Sequence, residues 1–201
     1  MQNKPATTAI PIHEIISKRW SPRAFDSSRE VTDSDLHRLL EAARWAPSCF
    51  NEQPWRYIVC VKSKGEARWQ AALESLAEKN QLWAINAPVL IVAVAMNNFS
   101  HNGNANPWAT YDTGAASVSL TLQAAALGLV VHQMGGFSSE QVRDVFALPE
   151  DGTPMAVLAV GYQADVDILN DSFREAELSA RSRLPLTEIV YSGRWGVGIE
   201  V

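Results

Sequence analysis

Two short runs near opposite ends of this 201-residue chain set arginine beside hydroxyl: Arg19-Trp20-Ser21-Pro22-Arg23 and Arg181-Ser182-Arg183. A guanidinium presents a planar fork of N–H donors that matches phosphate oxygens, and a serine hydroxyl adds a neutral donor. If the two runs converge in space they can hold a phosphomonoester. Taken alone, each also reads as solvated surface charge, the commoner fate of such residues. A second suggestive run is His132-Gln133-Met134-Gly135-Gly136-Phe137. Two residues without Cβ let backbone approach a planar ligand closely and take conformations closed to other residues. The competing reading is a plain turn before a helix.

Other chemistries lack their residues. There is no G-x-S-x-G elbow, P-loop, H-E-x-x-H or G-x-G-x-x-G run. The four histidines, His13, His37, His101 and His132, are scattered, and each reads as a surface or supporting residue rather than a base. Cys49 and Cys60 form neither a disulfide framework nor a metal-ligand spacing, so zinc is not expected and the usage suits a reducing cytosol. A net charge of -5 and a pI near 5.4 supply no basic field for nucleic acid or an anionic membrane. The longest apolar run, Val89 to Met96, falls far short of a membrane span, and Met1 to Thr8 carries no secretory h-region. A cytoplasmic protein is expected.

The candidate residues need elements to hold them. Ile12, Ile15 and Ile16 predict a helix over about Ile10 to Lys18. A second helix starts near Thr32 or Asp33, carries Leu36, Leu39, Leu40 and Ala43 on one face, and delivers a loop from Pro47 to Pro54. Arg56 to Val61 is strand-like, and Glu66 to Lys79 reads as one helix ending at Asn80. Val89 to Met96 and Met155 to Tyr162 read as buried strands. Between them lie an Asn- and Gly-rich loop, Asn97 to Pro107, and a long helix of small residues, Thr110 to Leu127, closed by Gly128. Ser138 with Gln141 is a capping box, Gln163 to Ser182 is polar and helical or irregular, and the last twenty residues show no period. No repeat or linker divides the chain, which suggests a single α+β domain over 1–201 with 1–9 as a flexible tail.

Between the arginine runs stand, in order, Ala46-Pro47-Ser48-Cys49-Phe50-Asn51-Glu52-Gln53-Pro54-Trp55, Asn80-x-x-Trp83 before Ala87-Pro88, and the His132 to Phe137 run, followed by a terminal Arg194-Trp195-Gly196. From about Ile12 to Gly196 this pattern resembles the FMN-dependent nitroreductase family. The resemblance implies an α/β sandwich with a central mixed sheet flanked by helices, assembled as a homodimer with FMN at the subunit interface. It implies that Arg19, Trp20, Ser21 and Arg23 contact the phosphate and ribityl chain, and that Arg181 and Arg183 close over the phosphate. Pro47, Ser48 and Asn51 would come from the partner subunit; Cys49 stands where many relatives carry a second serine. Asn80 would bond the pyrimidine edge of the ring, and Gln133, Met134, Gly135 and Gly136 would lie along it, with the Gly135 amide aimed at N5.

In such a site the cofactor carries the chemistry and no protein acid or base is required. NAD(P)H would be the donor and a nitroaromatic, quinone or flavin the acceptor, in ping-pong order. Phe50, Phe99, His101 and Trp108 could line the acceptor pocket. Two alternatives remain open: a flavin reductase that supplies reduced FMN to a monooxygenase, and a non-catalytic FMN-binding module.

Overall fold

The computed structural model of the chain describes residues 3–199. Helices α1 (Glu14–Lys18) and α2 (Asp33–Arg44) precede strand β1 (Trp55–Val61), and α3 (Glu66–Glu74) and α4 (Glu78–Ala84) lead to β2 (Val89–Met96). Then follow α5 (Ala109–Ala126), β3 (Val130–Met134), α6 (Ser139–Phe146) and β4 (Gly152–Gly161), and finally α7 (Asp171–Leu178) and α8 (Leu186–Ile189).

Alternation along β2 fixes the layers. Val89, Ile91 and Ala93 face a core shared with Leu39 and Ala43 of α2 and Ala116, Leu120 and Ala124 of α5. Leu90, Val92 and Val94 face the opposite core, filled by Trp69 and Leu73 of α3, Trp83 of α4 and Val142 of α6. A strand whose side chains point alternately to two covered faces must be apolar throughout, which is why this run shows no polar alternation. Each fully buried Val, Leu or Ile contributes about 1.5–3 kcal/mol.

The strand order is β1-β2-β4-β3, and every pairing is antiparallel. The sheet of the described residues is therefore antiparallel where the resemblance implies a mixed one. Pro154 sits inside the central strand β4 because the register shifts there, opposite Ala93 and Val94.

Several ends follow local chemistry. The Thr32 hydroxyl accepts from Asp35 N (3.0 Å), and that of Ser138 from Gln141 N (3.2 Å). After α5, Gly128 turns with φ +73° while Leu129 N reaches back to Ala124 O (2.9 Å), a left-handed exit that favours glycine. Two expectations fail instructively. The first helix starts only at Glu14, where His13 Nδ1 accepts from Ile15 N. The stretch Glu66 to Lys79 is two helices, because Ser75–Ala77 pairs with Gly136–Ser138: Ala77 N donates to Gly136 O (2.9 Å) and Ser138 N to Ser75 O (2.7 Å). Asn80 thus lies inside α4 rather than ending a helix.

Candidate functional site

The segment that leaves α1 is gripped from two sides. His132, on edge strand β3, donates from Nδ1 to Pro22 O (3.0 Å). A carbonyl only accepts, so the proton sits on Nδ1; burial, opposed by that bond, pushes the imidazole down to about 4, and it is neutral at pH 7. On the other side, the Glu177 carboxylate of α7, 1% exposed, accepts from Arg23 N at 2.9 and 3.0 Å and from Ala24 N at 3.1 Å. Phe25 then bridges Gln163, carrying the chain onto the sheet's end.

Four residues beyond Glu177, the other arginine run begins. Arg181 Nη1 donates to Lys4 O (2.6 Å) and Ser17 O (2.8 Å), and Lys4 Nζ donates to Glu177 O (2.5 Å). The residues expected as a flexible tail are thus hydrogen-bonded to the body from Lys4 onward, with Ala6 N also donating to Ser17 O (2.9 Å). Arg19 reaches Ser21 Oγ (3.5 Å). Burial first, then the charges of Arg181 and Arg183, lower the Arg19 guanidinium below its ordinary value, and burial and Arg183 do the same to Arg181. Arg19, Arg181 and Arg183 line one cavity of about 800 Å³ with Ile10, Ile16, Leu184 and Leu186, and no carboxylate is among its lining residues. Clustered guanidiniums without an acidic partner have the chemistry to take an anion.

Arg23 and Trp20 depart from this group. The Arg23 guanidinium lies 4.0 Å from Glu177 and 6.0 Å from the Phe173 ring centre. Trp20 faces a second cavity, of about 310 Å³, with Lys4 Nζ 4.6 Å above its ring.

The glycine run ends β3. Gly135 and Gly136 are exposed, and neither has positive φ, so their use is not conformational as the sequence suggested; it is space. A Cβ on Gly135 would meet no protein atom, whereas one on Gly136 would lie 2.9 Å from Asn80 Nδ2. Asn80 Nδ2 donates to Gly136 O (3.1 Å), which joins α4 to this run, a contact the sequence did not announce. The Met134 side chain turns away from this run, while Gln133 is exposed and leans toward α5. Met134 is 2% exposed in the core beside Trp83 and Val157, and Gln133 Nε2 bonds Thr121 Oγ1 (3.0 Å) on α5.

Pro47, Ser48, Cys49 and Asn51 belong to a separate loop. Cys49 N donates to the buried Asp112 Oδ2 of α5 (3.0 Å), and Ser48 Oγ accepts from Gln53 N (3.0 Å). Phe50, Asn51 and Gln53 all have φ between +52° and +56°, a conformation that costs a non-glycine residue roughly 1–2 kcal/mol. The outcome is an 84% exposed Phe50 whose ring meets those of Phe99 (6.0 Å) and His101 (6.4 Å). Glu52 ties this loop to the Asn97–Pro107 loop: its Oε1 accepts from Ser100 N (2.7 Å), and that bond holds its carboxyl below the usual range. Backbone strain of this kind concentrates at functional sites.

Glu177, Glu52 and Asp112 escaped the sequence reading because each is a lone acid whose partners lie 48 to 154 residues away. His132 was legible only as a neighbour of the glycine run.

Comparison with known proteins identifies the family and the fold. A crystal structure of an oxidoreductase containing FMN superposes with a TM-score of 0.90 at 34% identity, covering 98% of this chain and all (100%) of that one. An uncharacterized 15.4 kDa protein of Mycolicibacterium smegmatis is 32% identical over 124 residues, 62% of this chain and 82% of its own. The oxygen-insensitive NAD(P)H nitroreductase of Enterobacter cloacae is 25% identical over 221 residues, 90% of this chain and 99% of its own. The family description "Nitroreductase family" matches residues 16–162, and the chain belongs to that family of oxidoreductases.

Proposed function

We propose that the protein binds FMN and passes electrons from NAD(P)H to nitroaromatic, quinone or flavin acceptors in ping-pong order, as a homodimer. The observation that carries this reading is the convergence of Arg19, Arg181 and Arg183 on one cavity with no carboxylate in its lining, at the start of a segment whose Ser21 meets Arg19 and whose Pro22 is tied by His132 to β3, the strand that ends in the exposed glycines. A phosphomonoester suits the arginines, and a planar ring suits the glycine run, where a ligand can approach without meeting a Cβ. Bound FMN would supply the two-electron chemistry at ring N5, which no side chain in this site can supply.

The chain's own residues bind and orient. Arg19, Ser21, Arg181 and Arg183 would take the phosphate, and Arg23 would stay beside Glu177 and reach it from the rim. Asn80 spends its amide nitrogen on Gly136 O, so its Oδ1 is left to accept an N–H from the ring's pyrimidine edge. The Gly135 amide would face N5. Buried, neutral His132 holds Pro22 and moves no proton.

The dimer draws support from apolar surface. Tyr111 (75% exposed) and Val118 (51%) share the outer face of α5 with Gly114, and Leu184, Ile189 and Trp195 (85%) stand exposed in the C-terminal segment. A lone subunit rarely leaves so much uncovered. A second copy would cover it and bring its Pro47–Asn51 loop to the flavin.

The test is a visible spectrum of the purified protein before and after anaerobic NADH or NADPH. Yellow absorbance that bleaches, and returns with a nitroaromatic or quinone, is the expected result. A protein that stays colourless after added FMN overturns the reading, and flavin that binds but does not bleach reduces it to a binding module.

A further inference from the structure

We infer that Glu177 is the positioning residue of the phosphate site, a buried carboxylate that sets the two arginine runs at the spacing one phosphomonoester requires. The inference rests on the FMN reading and adds to it a residue that touches no ligand. Glu177 is the one acid among the described residues that is essentially fully buried, at 1% exposure. Its oxygens accept three short bonds from Arg23 N and Ala24 N, residues 153 and 154 positions earlier. A carboxylate held by backbone N–H groups in a low-dielectric setting is a strong, directional tie. The neighbouring carbonyl, Pro22 O, is held from the opposite side by His132, so the backbone of Pro22–Ala24 cannot slide toward either.

The helix that carries this carboxylate leads directly into the other run. Glu177 lies in the last turn of α7, and Arg181 follows four residues later with its guanidinium bonded to Lys4 O and Ser17 O. The Glu177 carbonyl also takes Lys4 Nζ. One residue therefore ties the 19–23 segment, the N-terminal arm and the 181–183 segment together. Arg19, Arg181 and Arg183 repel one another, and something must hold them close before an anion arrives. Glu177 is absent from the lining of the cavity that Arg19, Arg181 and Arg183 share, so it pairs with Arg23 at the rim and leaves those three guanidiniums without an acidic partner in their cavity.

The test compares FMN with riboflavin, which lacks the phosphate, by titrating apo-protein and following flavin fluorescence. In Glu177→Gln one oxygen becomes an N–H donor facing backbone N–H groups. FMN affinity should fall about tenfold or more while riboflavin affinity stays within twofold of wild type. FMN affinity within twofold of wild type overturns the inference. Equal losses for both flavins also overturn it, because they mark a general structural role. If the Gln variant does not fold, Glu177→Asp keeps the charge one methylene short, and a phosphate-selective loss of about threefold is expected; no selective loss there is equally fatal. A wild-type protein that does not prefer FMN to riboflavin instead sinks the cofactor reading, which separates the two failures.

Discussion

At the arginine end of the site, buried side chains grip the backbone: Glu177 takes Arg23 N and Ala24 N, and His132 takes Pro22 O. At the other end the backbone itself is the feature. Gly135 and Gly136 lie exposed there, and away from them the separate Cys49–Gln53 loop holds three residues at positive φ with support from Asp112. The first end resists displacement of charges that repel one another, and the second keeps a surface free of side chains or sets an aromatic into solvent. Charge must be clamped because its own repulsion would scatter it, whereas a flat ring asks only for room.

The sharpest break of this contrast is Arg19→Ala with Arg181→Ala. Charge-assisted bonds are worth about 1.5–3 kcal/mol each, so losing two should cost roughly 4 kcal/mol, about a thousandfold in FMN affinity. Riboflavin affinity, read in the same fluorescence titration, should change far less. Parallel loss of both flavins would mean that the arginines support the fold rather than the phosphate.

Next in size is a pH effect confined to the clamp. Folded His132 titrates near 4 and unfolded histidine near 6.5, so the unfolded chain binds more protons between those values. Stability from this group is complete above about pH 6.5 and falls as pH drops through the window, by roughly 2–3 kcal/mol at pH 4. Urea unfolding at pH 7.5 and pH 4.5 would measure it. His132→Asn, which keeps an N–H donor and cannot charge, should lose that part of the difference; an unchanged pH dependence would place it elsewhere.

Gly135→Ala probes the open end. Its Cβ meets nothing and the residue needs no positive φ, so the melting temperature should stay within about a degree. Flavin affinity should nonetheless fall about tenfold, because the methyl occupies the space proposed for the ring; this corresponds to about 1.4 kcal/mol. A variant with normal FMN and riboflavin binding would show that Gly135 does not face the flavin.

The contrast also explains what the sequence made legible. Periodicity and end signals located α2, α5, β2 and the α6 cap because each depends on residues a few positions apart, such as Thr32 with Asp35 and Ser138 with Gln141. The arginine runs, Asn80 and the glycine run were visible as motifs in order, while the bond between Asn80 and Gly136 was not. The break between α3 and α4 was not, since Ser75–Ala77 contains no local breaker and unwinds only to pair with Gly136–Ser138. Glu177 was invisible for the same reason: in a polar stretch an acid reads as solvated, and only a donor pair some 150 residues away buries it. That the Met134 side chain turns into the core was not legible either, because a short apolar strand end does not show which face each residue takes.

The smallest expected effect concerns the tie between the strained loop and the Asn97–Pro107 loop. Glu52→Ala removes the acceptor of Ser100 N and the carboxylate 3.8 Å from His101 Nδ1, so Phe99 and His101 should no longer be held against Phe50. His101 is more than half exposed and its pairing counts for little, so the stability change is that of the one lost backbone bond at the largely covered Glu52, about 1 kcal/mol. FMN content should stay at the wild-type level, because the arginines and glycines are untouched. The KM for nitroaromatic or quinone acceptors should shift about threefold, with different acceptors affected unequally, while kcat at saturation changes less. If FMN is lost and the ranking of acceptors is preserved, the two loops serve the cofactor end rather than the acceptor, and the aromatic trio is packing rather than a pocket wall.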